Sequence, residues 1–275
     1  MSQYYNYRTA LLILFMSLVA YLILILGFYY NNSFMGNTPQ AVRYIIQGLF
    51  ELLLLVPVLL YVIGNGKSIK HAFRLRSVSI RALGDIVFVA IGMVILIEFI
   101  QYLMDMLIGS EQFINDDLKV LYPLNYLLIL PVIGIITPVV EEAVFRGYLL
   151  RIMLRNKYAP VFAIILQALL FTVVHLSFSN APAIFAAGII LGYIAYSFYS
   201  ILPGIIIHSI FNILVLIDIN VPQLREKVLY GNLFVPWLIL AGGTLLLIIG
   251  MLKIHKNVHV KRKRKDGEEG VGYEK

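Results

Sequence analysis

The chain of 275 residues contains no cysteine. Disulfide bonds, thiolate metal sites and a cysteine nucleophile are therefore excluded. Charged residues are also scarce, at 13%, whereas hydrophobic residues make up 60% and the mean hydropathy is +0.87. This composition lies outside the range of soluble globular domains and predicts an integral membrane protein. Any chemistry must come from histidine, carboxylate, amide or hydroxyl side chains.

Long apolar runs recur along the whole chain. A bilayer core of about 30 Å requires roughly 20 apolar residues per helix. About eight segments meet this length, which predicts an all-α, polytopic bundle of transmembrane helices. The first segment exceeds a signal-peptide core and lacks a small-residue cleavage site, so we interpret it as a retained helix. The segments cover residues 10–30, 43–63, 83–108, 124–150, 160–178, 182–199, 202–219 and 233–253.

The chain shows no internal repeat, no soluble domain and no long linker. We therefore predict three N-terminal transmembrane helices in residues 1–123 and a core of four helices in residues 124–219. A last transmembrane helix is predicted in residues 220–255, followed by a basic tail in residues 256–275.

The net charge of +7 is unevenly placed. The first loop has no basic residue and the third is mainly acidic, whereas the second loop, the fourth loop and the "KRKRK" tail are basic. By the positive-inside rule, the even loops and both termini face the cytosol. We interpret the tail as an anchor to anionic lipids, so the expected partner is the lipid bilayer and not nucleic acid.

Several ionisable residues fall inside the apolar segments. Each costs about 3 kcal/mol at bilayer depth, so each is a candidate functional group. Glu51, Asp105 and Asp218 lie near segment ends, where we expect them to reach headgroups or water. Glu98 lies deeper, and both a structural role and a proton-relay role stay open for it.

The stretch "TPVVEEAVFRG" places Glu141, Glu142 and Arg146 in one segment. Adjacent helical residues point about 100° apart, so the two glutamates cannot share one task. Arg146 follows Glu142 by four residues, which predicts an ion pair and leaves Glu141 for proton chemistry. Pro138 removes a backbone hydrogen bond just before the carboxylates, so water is expected near Glu141.

Two later segments each carry a histidine one helical turn from another motif residue. Phe171 and His175 stand one turn apart in "FTVVH", and His208 and Asn212 in "HSIFN". A lone histidine in an apolar helix usually packs structurally. A hairpin turning near Lys157, however, would bring Glu141 and His175 to similar heights on antiparallel helices. That geometry favours a site.

The three elements "EEAVFR", "FTVVH" and "HSIFN" resemble, in order, the EExxxR, FxxxH and HxxxN/D motifs of the CPBP family of intramembrane proteases. This family includes the type II CAAX prenyl endopeptidases and the bacterial Abi and bacteriocin-processing relatives. The resemblance covers residues 124–219. It implies a protein of the bacterial cell membrane that cleaves membrane-associated, prenylated or leader-peptide substrates.

The resemblance also implies roles for the motif residues. Glu141 would activate a water with His175 as its partner, and His208 and Asn212 would stabilise the oxyanion or help to bind a metal. Supporting residues would be Glu142, Arg146 and Phe171. Glu141, His175 and His208 could form an open zinc site, yet no HExxH pair is present. We favour metal-free chemistry, with no cofactor certain and a divalent metal such as zinc as the alternative.

Two other functions compete with the protease interpretation. A non-catalytic scaffold, immunity or regulatory protein could keep the fold, but buried Glu, Arg, His and Asn are costly without a task. A proton-coupled transporter would need Glu98 and Asp218, and no inverted repeat supports it.

Overall fold

The computed structural model describes residues 7–30, 38–108, 125–220 and 235–270. Within these ranges every regular element is a helix. Nine are α1 (Tyr7–Tyr30), α2 (Gln40–Gly64), α3 (Ile69–Ala72), α4 (Ile80–Ile108), α5 (Tyr126–Pro131), α6 (Thr137–Glu141), α7 (Arg151–Arg155), α8 (Pro160–Val174) and α9 (Ala181–Phe198). They are followed by α10 (Leu202–Asn220) and α11 (Val235–Gly270), and two π-helices, π1 (Val132–Ile136) and π2 (Glu142–Leu150), lie between α5 and α7.

Six helices in the described ranges are long and apolar enough to cross a membrane. One of them, Leu127–Arg155, joins α5, π1, α6, π2 and α7 and is named the motif helix. The predicted all-α membrane bundle is confirmed. The predicted number of eight full spans is not confirmed, because α8 and the apolar part of α10, Leu202–Ile217, are shorter than 18 residues.

The end of α8 differs from the predicted segment, which ran to residue 178. The helix stops at Val174, His175 forms its C-cap, and Leu176 takes a left-handed conformation with φ of 51°. A non-glycine residue in this conformation cannot continue a right-handed helix. The early stop leaves His175 at a helix end, with 29% of its side chain exposed.

The motif helix lies at the centre of the protein. Every residue from Val140 to Met153 is buried. A helix that is buried on all sides must be enclosed by other helices. One apolar cluster packs it against α1, α2 and α8, and a second cluster joins α4, α9, α10 and α11. On the outer faces, large apolar side chains such as Phe15 are exposed, as expected of a lipid-facing surface.

Glycines bring α4 and α11 into backbone contact. A Cβ atom on Gly92 would lie 2.5 Å from the backbone nitrogen of Leu247 and 2.6 Å from the carbonyl oxygen of Gly243. Small residues permit such close approach between membrane helices, where packing replaces the hydrophobic effect as the main attraction. The α4–α11 interface therefore depends on the missing side chain of Gly92.

We predict that Gly92→Ala lowers the thermal stability of the detergent-purified protein, because the added methyl group must push backbone atoms apart. Overpacking of this kind costs about 1–3 kcal/mol. Gly84→Ala is the matched control, since a Cβ atom on Gly84 meets nothing within 4 Å. Equal melting temperatures for the two variants would contradict the proposed packing.

Candidate active site

A break in the backbone hydrogen-bond pattern of the motif helix positions Asn212. In π1 the N–H of Thr137 bonds to the carbonyl of Val132, five residues earlier. The same pattern would pair the next residue with Ile133, but that residue is Pro138, which has no N–H. The Asn212 amide on α10 supplies the missing donor, with its Nδ2 atom 2.9 Å from the Ile133 carbonyl oxygen. Pro138 thereby gives Asn212 a fixed anchor.

Glu141 lies between two imidazole rings. Its Oε1 atom is 3.7 Å from His175 Nε2, and its Oε2 atom is 3.5 Å from His208 Nε2. The carboxylate is buried, with 9% of the side chain exposed. The predicted meeting of Glu141 and His175 is present, and His208 joins them. The motif helix, α8 and α10 thus converge on one carboxylate.

Both rings are oriented through their other nitrogen. His175 Nδ1 lies 2.7 Å from the carbonyl oxygen of Phe171, and His208 Nδ1 lies 3.1 Å from Glu142 Oε1. A carbonyl and a carboxylate can only accept hydrogen bonds, so each Nδ1 donates its proton. Each Nε2 is then turned towards Glu141. A second group that fixes the ring and its tautomer is typical of functional histidines.

Glu142 and Arg146 form the predicted ion pair. Arg146 Nη1 lies 2.9 Å from Glu142 Oε1, and both side chains are completely buried. The guanidinium group also lies over the Phe171 ring, 4.2 Å from its centroid, and the same ring meets the His175 imidazole edge-on at 4.5 Å. Phe171 therefore separates the Arg146 charge from His175 while packing against both.

Glu51 belongs beside this site, and the interpretation that it reaches headgroups or water was wrong. It lies within α2 and is only 3% exposed. Its Oε1 atom accepts a hydrogen bond of 2.9 Å from the Tyr21 hydroxyl, and its carboxyl group is close enough to Glu141 for electrostatic interaction. Glu51 follows Gly48 by three residues and therefore lies on the same, buried face of α2. This helical spacing is the sequence signal that could have predicted its burial. Asp105, by contrast, is half-buried near the end of α4.

Some carboxylate oxygens at the site have no hydrogen-bond donor within the described part of the chain. These are Oε2 of Glu51, Oε2 of Glu141 and Oε2 of Glu142. Buried polar atoms are costly unless they are satisfied, so the site favours a water or a polar substrate group next to the carboxylates. A buried acceptor that faces an attacking water is the geometry that general-base chemistry requires.

The set named as a possible zinc site, Glu141, His175 and His208, does not form a metal-binding group. Among the described residues no cluster of three His, Asp or Glu side chains has that arrangement. The reaction is therefore derived below from the side chains alone. The side chain of Asp218 lies outside the described atoms.

We predict that Arg146→Ala reduces the amount and thermal stability of folded protein, because it leaves the buried Glu142 carboxylate without its counter-charge. Breaking a buried ion pair on one side costs about 3–5 kcal/mol. Lys157→Ala, at an exposed turn, is the control for loss of one positive charge. If purified Arg146→Ala melts at the wild-type temperature, the structural role of this pair is wrong.

Residues 123–214 match the model of a protein family described as "Type II CAAX prenyl endopeptidase Rce1-like". No curated protein and no solved structure shows significant similarity to the chain. The matched stretch contains all three motifs and every residue of the site except Glu51 and Tyr21. The match is consistent with the resemblance to the CPBP family and covers about a third of the sequence of this integral membrane protein.

Proposed function

We propose that the protein is an intramembrane endopeptidase that hydrolyses peptide bonds in membrane-associated substrates, of the prenylated or leader-peptide kind. The observation that carries this proposal is the placement of the buried Glu141 carboxylate between two imidazole rings that other groups hold in orientation. The family match supports a protease at the level of the family. Membrane-spanning helices around the site support a substrate that approaches from the bilayer.

In the proposed first step, Glu141 removes a proton from a water molecule, and the water oxygen attacks the carbonyl carbon of the peptide bond. His175 orients this water from its Nε2 side. The partial exposure of His175 gives water and substrate a way in, whereas Glu141 is shielded. General-base assistance of this kind contributes roughly 10²- to 10⁴-fold to a reaction rate.

The attack places a negative charge on the former carbonyl oxygen. In the proposed mechanism, His208 in its protonated form and Asn212 donate hydrogen bonds to this oxyanion. An amide nitrogen carries two N–H donors, so Asn212 keeps one available when the other is held by Ile133. One such donor is worth about 3 kcal/mol in comparable oxyanion sites.

In the last step the carbon–nitrogen bond breaks. The leaving amine takes up the proton that Glu141 removed from water, and the other product is a new carboxyl terminus. Glu141 returns to its carboxylate form, so one water is consumed per bond cleaved. No other reactant is needed for the atoms and charges to balance.

We further propose that the protein resides in a bacterial cell membrane with both termini in the cytosol. The distribution of basic loops in the sequence supports this orientation. The site would then be reached by substrates from the lipid or from the cytosolic face.

We predict that Glu141→Gln and His175→Ala abolish cleavage while the protein still inserts and accumulates. Terminal peptidomics of host membranes, in a deletion background complemented with each variant, measures this directly. Glu98→Gln is the matched control, because it makes the same substitution on α4, which contributes no residue to the site. Peptide termini should appear with wild type and Glu98→Gln only.

Identical peptide termini for wild type and Glu141→Gln, at equal protein levels and in a host that contains the native partners, would contradict the protease proposal. That result would favour the non-catalytic scaffold. A strong loss with Glu98→Gln would instead revive a proton-relay role for this residue.

We predict that Pro138→Ala slows cleavage severalfold without lowering thermal stability. Alanine restores a backbone N–H that competes for the Ile133 carbonyl, so Asn212 loses its fixed anchor while the helix gains a hydrogen bond. Pro131→Ala, in the same helix before π1, is the control. Wild-type turnover by Pro138→Ala would show that the anchor does not support catalysis.

A further inference from the structure

A second cluster of polar residues lies at one end of the bundle, away from Glu141. It surrounds a cavity of about 380 Å³ between the segment that follows α2, the end of the motif helix and the turn before α10. Its lining includes five lysine and arginine side chains and one histidine. These are Lys70, Arg74, Arg76, Arg151, Arg155 and His71.

The cavity has no acidic residue in its lining. This follows from the sequence, because residues 52–84 and 143–217, which supply the whole lining, contain no Asp or Glu. The cations also affect one another. The pKa of His71 is lowered, above all by the Arg151 guanidinium, then by burial, and further by Arg155, Arg76 and Arg74. An anion in the cavity would relieve this repulsion.

The cavity walls are held in place by contacts that do not involve a ligand. Arg151 is only 7% exposed, and its Nη1 atom donates to the backbone carbonyls of His71 and Ala72. The Arg74 guanidinium stacks over the Tyr199 ring at 5.1 Å. Both Arg74 and Tyr199 have positive φ angles, 54° and 50°, a conformation that persists only where the surroundings enforce it.

Gly147, the last residue of the "EEAVFRG" stretch, packs against the loop that follows α2 and lines the cavity. A Cβ atom on Gly147 would lie 3.2 Å from both the carbonyl oxygen and a ring carbon of Phe73. The missing side chain lets the loop lie directly on the motif helix. A hydrogen bond of 2.7 Å from the Ser200 hydroxyl to the Arg76 carbonyl fixes the other side of the loop.

Membrane topology alone does not explain this convergence. The positive-inside rule requires only that basic residues stand in the loops on one face. Lys67, Arg81 and Lys157 meet that requirement, are exposed, and do not line the cavity. Five cations around one half-open cavity repel one another, and a negative group in it would offset this repulsion.

We propose that this cavity is a binding site for a phosphate group, supplied by the headgroup of an anionic phospholipid at the membrane surface. Guanidinium groups match phosphate oxygens in pairs, and the cavity size falls within the roughly 300–1,000 Å³ typical of small-molecule sites. Anionic lipids are concentrated at the cytosolic surface, where the basic loops are predicted to lie. The proposal does not depend on the protease activity.

Native mass spectrometry of the full-length protein tests this by comparing retention of phosphatidylglycerol with that of phosphatidylcholine of the same chain length. The double variant Lys70→Gln/Arg76→Gln removes two exposed cations of the cavity. Lys67→Gln/Lys157→Gln removes two exposed cations outside it. We expect phosphatidylglycerol retention to fall at least about fivefold in the cavity variant and to stay at the wild-type level in the control.

A thermal-shift titration of delipidated protein with inorganic phosphate, against chloride at equal ionic strength, separates the two sources of phosphate. Stabilisation by phosphate that is lost only in the cavity variant, with lipid retention unchanged, supports the site but assigns it to soluble phosphate. Equal lipid retention and an equal phosphate response in both double variants would overturn the proposal. If the cavity variant fails to fold, Arg155→Gln, at an exposed position, is tested in the same way.

Discussion

The pairing of Glu142 with Arg146 inside the motif helix is the contact around which the site is arranged. Both side chains are fully buried, and a single buried charge there would be prohibitively costly. Glu142 also receives the hydrogen bond that orients His208, while Arg146 packs on the Phe171 ring beside His175. The pair thus contacts His208 directly and His175 through Phe171, while Glu141 lies next to both imidazoles. Stability and geometry depend on the same two residues.

The second constraint is that backbone N–H and C=O groups inside the membrane need hydrogen-bond partners. In a membrane every peptide group needs an internal partner, and the motif helix departs from α geometry twice, in π1 and in π2. π-helical turns occur often at functional sites because they redirect side chains and free a carbonyl group. Here the carbonyl that Pro138 cannot satisfy is bonded by Asn212 from α10. The hydrogen bond that is missing within the motif helix is thus replaced by one from Asn212, which holds this motif residue at the site.

Local spacing was sufficient to predict some of these features. The Glu142–Arg146 pair follows from a four-residue interval, and the meeting of Glu141 with His175 follows from similar distances to the turn between α7 and α8. The anchoring of Asn212 depends on π geometry, and burial of Glu51 beside Tyr21 depends on how α1 packs on α2, which periodicity does not encode. About eight spans were predicted, and this count is not confirmed among the described residues, because α8 ends before a left-handed Leu176 and the apolar part of α10 is short. The basic cavity arises only when distant loops fold together.

The central claim is that Glu141 activates water for peptide hydrolysis. Its most direct test is oxygen isotope incorporation, with purified protein reconstituted in lipid vesicles together with solubilised peptides from host membranes in H₂¹⁸O. Hydrolysis must place one ¹⁸O atom in the carboxyl terminus of every newly formed peptide. The account predicts labelled termini with wild type and none with Glu141→Gln at equal folded protein. Labelling of the same peptides by both proteins would contradict it.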